Sequence, residues 1–283
     1  QAGQAAMFDH LSKGRFIMGV GPGGLASDFE LFGVMDKDRM EMMEEALEMM
    51  IELWTTEPPY KMHGKHWTID MKEWTHHDIK LGYVPKPYQE PYPPVAISAM
   101  SPHSGSLKFA GSKGYIPVSA NFVATWSVET HWPAYCEGAK AGGITPNPEN
   151  WRVARSIYVA DTDQEAEEFV KSPGGAYDYY YEYLFQIFER SDYKAPFVAN
   201  RNDDPAKLTP QGIRDACTIY GSPETVANKI LELRKTIGDF GTVLYAAHDW
   251  QDEGAMKKSM TMFAEEVMPR VNSKLDSKQA SAG

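Results

Sequence analysis

The chain has 283 residues, 42% of them hydrophobic and 24% charged, the composition of a globular protein rather than a disordered or membrane-embedded one. Its formal net charge of −11 argues against nucleic-acid binding, because phosphate contacts need a basic face. Two cysteines, Cys136 and Cys217, lie far apart with no CxxC pair. That fits a reducing cytoplasm and speaks against a disulfide scaffold or a zinc–thiolate site.

No apolar run approaches the ~20 residues of a membrane helix, and no basic–apolar–small start marks a signal peptide. Gln1 precedes the first methionine, Met7, which leaves a processed or truncated start open.

In chain order, strand-like runs alternate with helical periodicity. Arg15–Gly21 is a short apolar run ending in glycines and reads as a buried strand, followed by the loop Gly21-Pro-Gly-Gly24. Asp36–Trp54 is helical, with Met40, Met43, Leu47, Met50 and Trp54 at spacings of three and four. The methionines read as core filler, and Pro58-Pro59 stops the helix. Residues 60–92, rich in Pro, His and Trp, read as an extended hairpin or excursion. Pro94–Met100 is a second strand. Pro102–Gly111 is expected to be a short helix, capped by Ser101 and ended by Gly111.

Tyr115–Ser119 is a third strand, and a helix is expected over about Thr125–Ala141. Trp151–Ala160 is a fourth strand, and Asp161-Thr-Asp163 opens a helix with acidic residues in its first turn. Residues 172–220 form a second excursion. Within it Tyr177, Tyr180, Tyr181, Leu184, Phe185 and Phe188 share one helical face, either packing onto the domain or walling an apolar substrate. Ser222 and Pro223 open a helix running to about Ile237. Thr242–His248 is the fifth strand, and a last helix covers about Gly254–Met268, with Pro269 ending it.

Five strands joined by helices, with no hairpin between them, predict a parallel α/β sheet. Two architectures remain, a doubly wound sheet or a (β/α)8 barrel. Gly19-x-Gly21-x-Gly23 only partly matches a dinucleotide fingerprint. It lacks the sixth-position glycine and the later acidic residue.

The segments Leu11–Gly24, Asp28–Gly33, Ile97–Gly105, Gly221–Val226 and Phe263–Pro269 together resemble the bacterial luciferase-like family of flavin-dependent monooxygenases. Gly21–Gly33 looks most like the limonene-type members. The resemblance implies a TIM barrel forming one domain over residues 1–283, with excursions at 60–92 and 172–220. In that frame Gln1–Leu11 is the third helix and Arg15–Gly21 the fourth strand. The first three strand–helix units, about 90 residues at ~30 per unit, are then absent.

The implied activity is that of the oxygenase component of a two-component system. A separate flavin reductase, drawing on NAD(P)H, supplies reduced FMN, and one atom of O2 enters a small apolar substrate such as a terpene. A homodimer is expected for the intact form. The alternatives are an F420-dependent oxidoreductase of the same superfamily, a non-catalytic flavin-binding protein, or a fragment.

The expected cofactor residues are Gly21, Pro22 and Gly23 near the flavin ring, and Met100, Ser101 and Ser104 near the phosphate. Glycine backbone lets a ring approach closely. A loop leading into a helix N-terminus offers N–H donors to an anion. The rival readings are a plain strand-to-helix turn and a simple serine cap. Pro22 stands where luciferases carry a basic residue, so no guanidinium reaches the phosphate from that loop. His103 either adds charge there or faces solvent. His248 and Trp74 are the candidate pocket residues, against a structural histidine and a hairpin pin. His63-x-x-His66 and His76-His77 lack ligand-spaced partners, so no metal is expected.

Overall fold

The computed structural model describes residues 1–282, with side chains as far as Ser277. Two compact units divide the chain, Gln1–Ser98 and Ala99–Gly283. No described helix is long and apolar enough to cross a membrane.

The first unit holds helices α1 (Ala2–Ser12), α2 (Ala26–Leu31) and α3 (Arg39–Thr55), and strands β1 (Met18–Val20), β2 (Lys61–His63), β3 (Thr68–Asp70) and β4 (Val95–Ala99). Met18 to Val20 pair in parallel with Val95 to Ile97. The predicted hairpin is present: β2 and β3 are antiparallel, with Met62 opposite Ile69. Helix α3 starts later than the periodicity suggests because Asp38 caps it, accepting the Glu41 N–H at 3.0 Å. Leu47, Met49, Leu53 and Trp54 are its buried residues. Met40, Met43 and Met50 are only half-buried, so the reading of those methionines as core filler fails.

The hairpin turn is fastened to α3 by one carboxylate. Glu45 accepts the N–H groups of Lys65 at 2.8 Å, His66 at 3.0 Å and Trp67 at 2.6 Å. Glu41 takes the Lys65 ammonium at 2.6 Å and His66 Nε2 at 3.1 Å.

The second unit is built on β6 (Arg152–Val159). Strands β5 (Ile116–Ser119), β7 (Thr218–Gly221) and β8 (Thr242–Ala246) all pair with it in parallel. Strand β7 was not foreseen. It is four residues long and follows helix α9 (Pro210–Cys217) with no turn between them. Apolar residues on the two sides of β6 feed two cores. Trp151, Val153 and Ile157 join Val226 and Ile230 of α10 (Pro223–Ile237). Tyr158 joins Tyr177, Tyr181, Leu184 and Phe188 of α8 (Ala176–Arg190). Most of the α8 aromatic face is therefore core.

Three helix boundaries differ from expectation, each for a stated reason. The helix expected at Pro102–Gly111 is α4, Gly105–Lys113. Ser101 does not cap it, Ser104 occupies the N-cap position, and the left-handed Gly114 (φ 71°) ends it. The helix expected at Thr125–Ala141 is two, α5 (Thr125–Val128) and α6 (His131–Gly142). Pro133 would break a continuous helix, whereas in the first turn of α6 its missing N–H leaves no bond unmade. Pro269 does not end the last helix. A π turn at Phe263–Val267 joins α11 (Glu253–Met262) to α12 (Met268–Ala282), and Pro269 follows directly on that widened turn, where the regular helical bonding is already interrupted. The cap of α7 (Asp163–Val170) is a Thr162/Glu165 capping box, and Ser222 caps α10 as expected.

Gly111, expected as a cap, serves instead in the crossing of α4 over α6. A Cβ there would lie 2.1 Å from Tyr135 O, and one at Gly138 would lie 1.8 Å from Lys108 O. The two backbones touch, and no side chain fits between them. Gly138→Ala should destabilise the fold by about 1–3 kcal/mol, the cost of overpacking, measured by urea unfolding. Gly105→Ala, whose Cβ meets nothing within 4 Å, should cost nothing.

Candidate active site

In the first unit, Gly19, Val20 and Gly21 line a hollow of about 540 Å³, together with Met42, Met43 and Met50. A Cβ on Gly21 would meet only Ser98 Oγ at 3.7 Å, and one on Gly19 would meet nothing within 4 Å. The backbone at the end of β1 is thus open to a flat ligand. Gly23 takes a left-handed φ of 81°, which turns the loop toward α2. Pro22 offers no side-chain donor. Trp74 is 73% exposed, touches His76 edge-on at 6.3 Å, and does not line this hollow; Trp67 does.

In the second unit, the segment 99–104 leads from β4 to α4. Ala99 O accepts the Ala120 N–H at 3.0 Å, and Met100 packs on the core beside β6. Ser104 is buried, and its Oγ pairs with Ser106 Oγ at 2.8 Å rather than capping α4. Ser104 makes no side-chain cap bond to α4, and the start of a helix is a setting suited to an anion. His103 adopts φ 52°, and its N–H donates to Thr130 Oγ1 at 2.7 Å.

A residue that sequence reasoning passed over holds this loop. The Trp151 indole N–H donates to Ser119 Oγ at 3.0 Å, and Ser119 Oγ lies 2.8 Å from His131 Nδ1. His131 Nε2 lies 3.1 Å from Ser101 O. A carbonyl only accepts, so His131 carries its proton on Nε2 and takes the Ser119 hydroxyl at Nδ1. Nothing local marks His131, because its partners lie 12 and 30 residues away.

His248 lies two residues past β8, in a cage of tyrosines. Tyr180 stacks on its ring at 4.1 Å, and Tyr177 meets it edge-on at 4.6 Å. Its Nε2 lies 2.8 Å from Ser156 Oγ. Ser156 also meets Tyr181 OH at 2.7 Å and Asn121 Nδ2 at 3.1 Å. Ser156 and Asn121 were not foreseen as site residues, since neither sits in a recognisable motif.

These features combine a parallel sheet, polar side chains past its strand ends, and glycine backbone beside an apolar hollow. The model of the luciferase-like monooxygenase family matches residues 1–239. The chain belongs to this family.

Among characterised members, 2,5-diketocamphane 1,2-monooxygenase 2 of Pseudomonas putida is 28% identical over 95% of this chain and 75% of its own. Limonene 1,2-monooxygenase of Rhodococcus erythropolis is 28% identical over 97% of this chain and 65% of its own. A solved structure, the oxygenating constituent of 3,6-diketocamphane monooxygenase from Pseudomonas putida in complex with FMN, superposes with a TM-score of 0.82. It is 27% identical, and the match covers 95% of this chain and 75% of that one.

Both histidines of this luciferase-like chain are held neutral. Burial pushes His131 down to about 4, opposed by the bond to Ser101 and helped by the nearby Arg155 guanidinium. Burial alone takes His248 to about 4. In the unfolded chain each ring takes up a proton near 6.5. Between these values the unfolded state binds more protons, so stability falls as pH drops through 6.5 toward 4. The loss should be about 2 kcal/mol per histidine between pH 7 and 5, read from urea unfolding at both pH values. Replacing His131 by Asn should remove about half of that pH dependence.

Proposed function

We propose that this protein is the oxygenase component of a two-component flavin system that uses FMN and O2 to oxygenate a small, apolar, terpene-like substrate. The observation that carries this reading is the 0.82 TM-score match to an oxygenating constituent solved with FMN. The diketocamphane and limonene enzymes, equally similar at 28%, support a terpene-like substrate without favouring one of the two types. A likeness to an F420-dependent secondary alcohol dehydrogenase, at 18% identity, concerns the fold alone. A separate reductase drawing on NAD(P)H supplies the reduced flavin, and the working form is a homodimer.

The residues present suit FMN. Gly21 and Gly23 offer backbone without bulk beside an apolar hollow, and we assign them, with Pro22, to the ring. The start of α4 suits the phosphate, with hydroxyls from Ser101 and Ser104 and the Met100 segment beside it. Reduced FMN, when bound, supplies the electrons that send one oxygen atom of O2 to the substrate and the other to water. The protein binds, orients and keeps out solvent. Trp151, Ser119 and His131 hold the Ser101 carbonyl and so fix the loop. Tyr180, partly exposed and stacked on His248, offers an aromatic wall.

The test is oxygenation under 18O2 with a flavin reductase, NADH, FMN and a panel of monoterpenes, followed by mass spectrometry. Incorporation of a single labelled atom supports the reading, and NADH oxidation that yields only hydrogen peroxide with every substrate rejects it. Replacing Ser101 and Ser104 together by Ala should weaken FMN binding by about 1–3 kcal/mol, the scale of hydrogen bonds to a charged group. Quenching of flavin fluorescence measures this, and an unchanged Kd rejects the phosphate assignment.

A further inference from the structure

A second hollow of the larger unit lies at the opposite end of β8 from His248. It is a cleft of about 280 Å³. Its floor is Gly241 to Val243, where β8 begins, and α10 and α12 form its walls. The length of β8, about 16 Å at ~3.3 Å per residue, separates it from the end of the strand that leads to His248.

The floor is fixed by backbone bonds. The Gly241 N–H donates to Pro148 O at 3.1 Å and to Trp151 O at 3.2 Å, and a Cβ there would lie 1.9 Å from Glu149 O. The α12 wall is set by the π turn. The Met268 N–H reaches Phe263 O, five residues back instead of four. That extra residue turns the helix beyond it by one position. Met268, Val271, Asn272 and Leu275, at spacings of three, four and seven, then line the cleft as one face. Lys274 Nζ donates to Asn228 Oδ1 at 2.8 Å and ties α12 to α10 beside it.

The lining is largely core surface. Ile230, Phe240, Phe263 and Val267, which border the cleft, belong to the core that α10 shares with β6. Among the described residues that line it, Arg234 alone is ionisable. Its charge is already answered. Nε lies 3.0 Å from Asp239 Oδ1, Nη1 donates to Phe240 O, and the guanidinium stands 5.5 Å from the centre of the Phe240 ring. An entering anion would have to displace the Asp239 carboxylate or sit beside it.

We propose that this cleft binds one small, uncharged, apolar molecule of about nine non-hydrogen atoms. At ~30 Å³ for each water-sized group, 280 Å³ holds roughly nine. A helix, ~10 Å across with its side chains, does not fit. Apolar walls favour a hydrocarbon leaving water. A carboxylate would lose its hydration beside a guanidinium that is already paired. A floor and walls fixed in advance leave little to order on binding. The site uses none of the residues assigned to FMN, and it holds whether or not the proposed function does.

The probes are cumene and benzoate, which have the same number of non-hydrogen atoms and nearly the same shape but differ in charge. Each is titrated at pH 7 into the full chain carrying 13C-labelled Ile, Leu, Val and Met methyl groups. Cumene should shift the methyls of Ile230, Val243, Val271 and Leu275 along one saturable curve. Benzoate should bind at least about 10-fold more weakly. Val271→Phe places a ring in the cleft and should weaken cumene binding by about 10-fold or more. Leu275→Phe, one turn further along α12, should do the same and serves if the first variant does not fold. Shifts that do not saturate, or that saturate only at Met42, Met43 and Met50 of the other hollow, overturn the proposal. So does cumene binding that survives both substitutions. Benzoate bound as tightly as cumene would mean that Arg234 takes an anion, and would overturn the assignment of an uncharged ligand.

Discussion

Strand β6 carries parallel partners along both halves of its length. Val118 and Ser119 of β5 and the whole of β8 pair with its first half, and β7 pairs with its second, from Ser156 to Val159. Parallel neighbours cannot be joined by a tight turn, so each connection must leave the sheet and return. The helices between these strands are the consequence. So is the placement of chemistry, because strands that run in one direction end on one side. Asn121 lies two residues beyond β5 and His248 two beyond β8, while Ser156 sits within β6 opposite the last residue of β8. The polar cluster is thus a product of strand direction, the same reason that α/β enzymes hold their sites past the carboxyl ends of their strands.

A polar group in such an interior must be neutral and fully bonded, or it costs the fold dearly. Two histidines meet this demand in the same way. His131 takes a serine hydroxyl from β5, and His248 takes one from β6. Desolvation keeps both rings uncharged. They differ in their second contact. His131 closes its circuit on the Ser101 carbonyl and becomes a brace for the loop. His248 is instead held through Nε2 by Ser156 and stacked on Tyr180.

The elements legible in the sequence were those whose signal is local. The runs at 15–21, 94–100, 115–119, 151–160 and 242–248 all hold strands, because buried parallel strands need continuous apolar side chains. Ser222 caps its helix as its side-chain chemistry requires, and a helix opens after Asp161-Thr-Asp163. The hairpin in the first excursion also stands. What misled were residues with two competing uses. Gly111 looks like a helix terminator, yet it lets α4 and α6 touch. Pro269 looks like a stop, yet the helix runs on through it behind a π turn. Ser101 looks like a cap, but the structure uses its carbonyl oxygen, held by a histidine 30 residues away.

Amino-acid order alone therefore determined the alternation of strands and helices, the parallel sheet and the family, because apolar periodicity, capping and glycine placement are written within a few residues of where they act. It also singled out Gly21–Gly23, Ala99–Ser104 and His248, since each lies at a strand end. Tertiary structure alone decided which side chains meet. The Thr218–Tyr181–Ser156–His248 hydrogen-bond chain draws on an edge strand, a helix, the central strand and a loop, with separations of 37, 25 and 92 residues. No local pattern encodes such distances. The direction of each hydrogen bond depends on which donors and acceptors remain once all the others are satisfied, and that is settled only when the strands lie side by side.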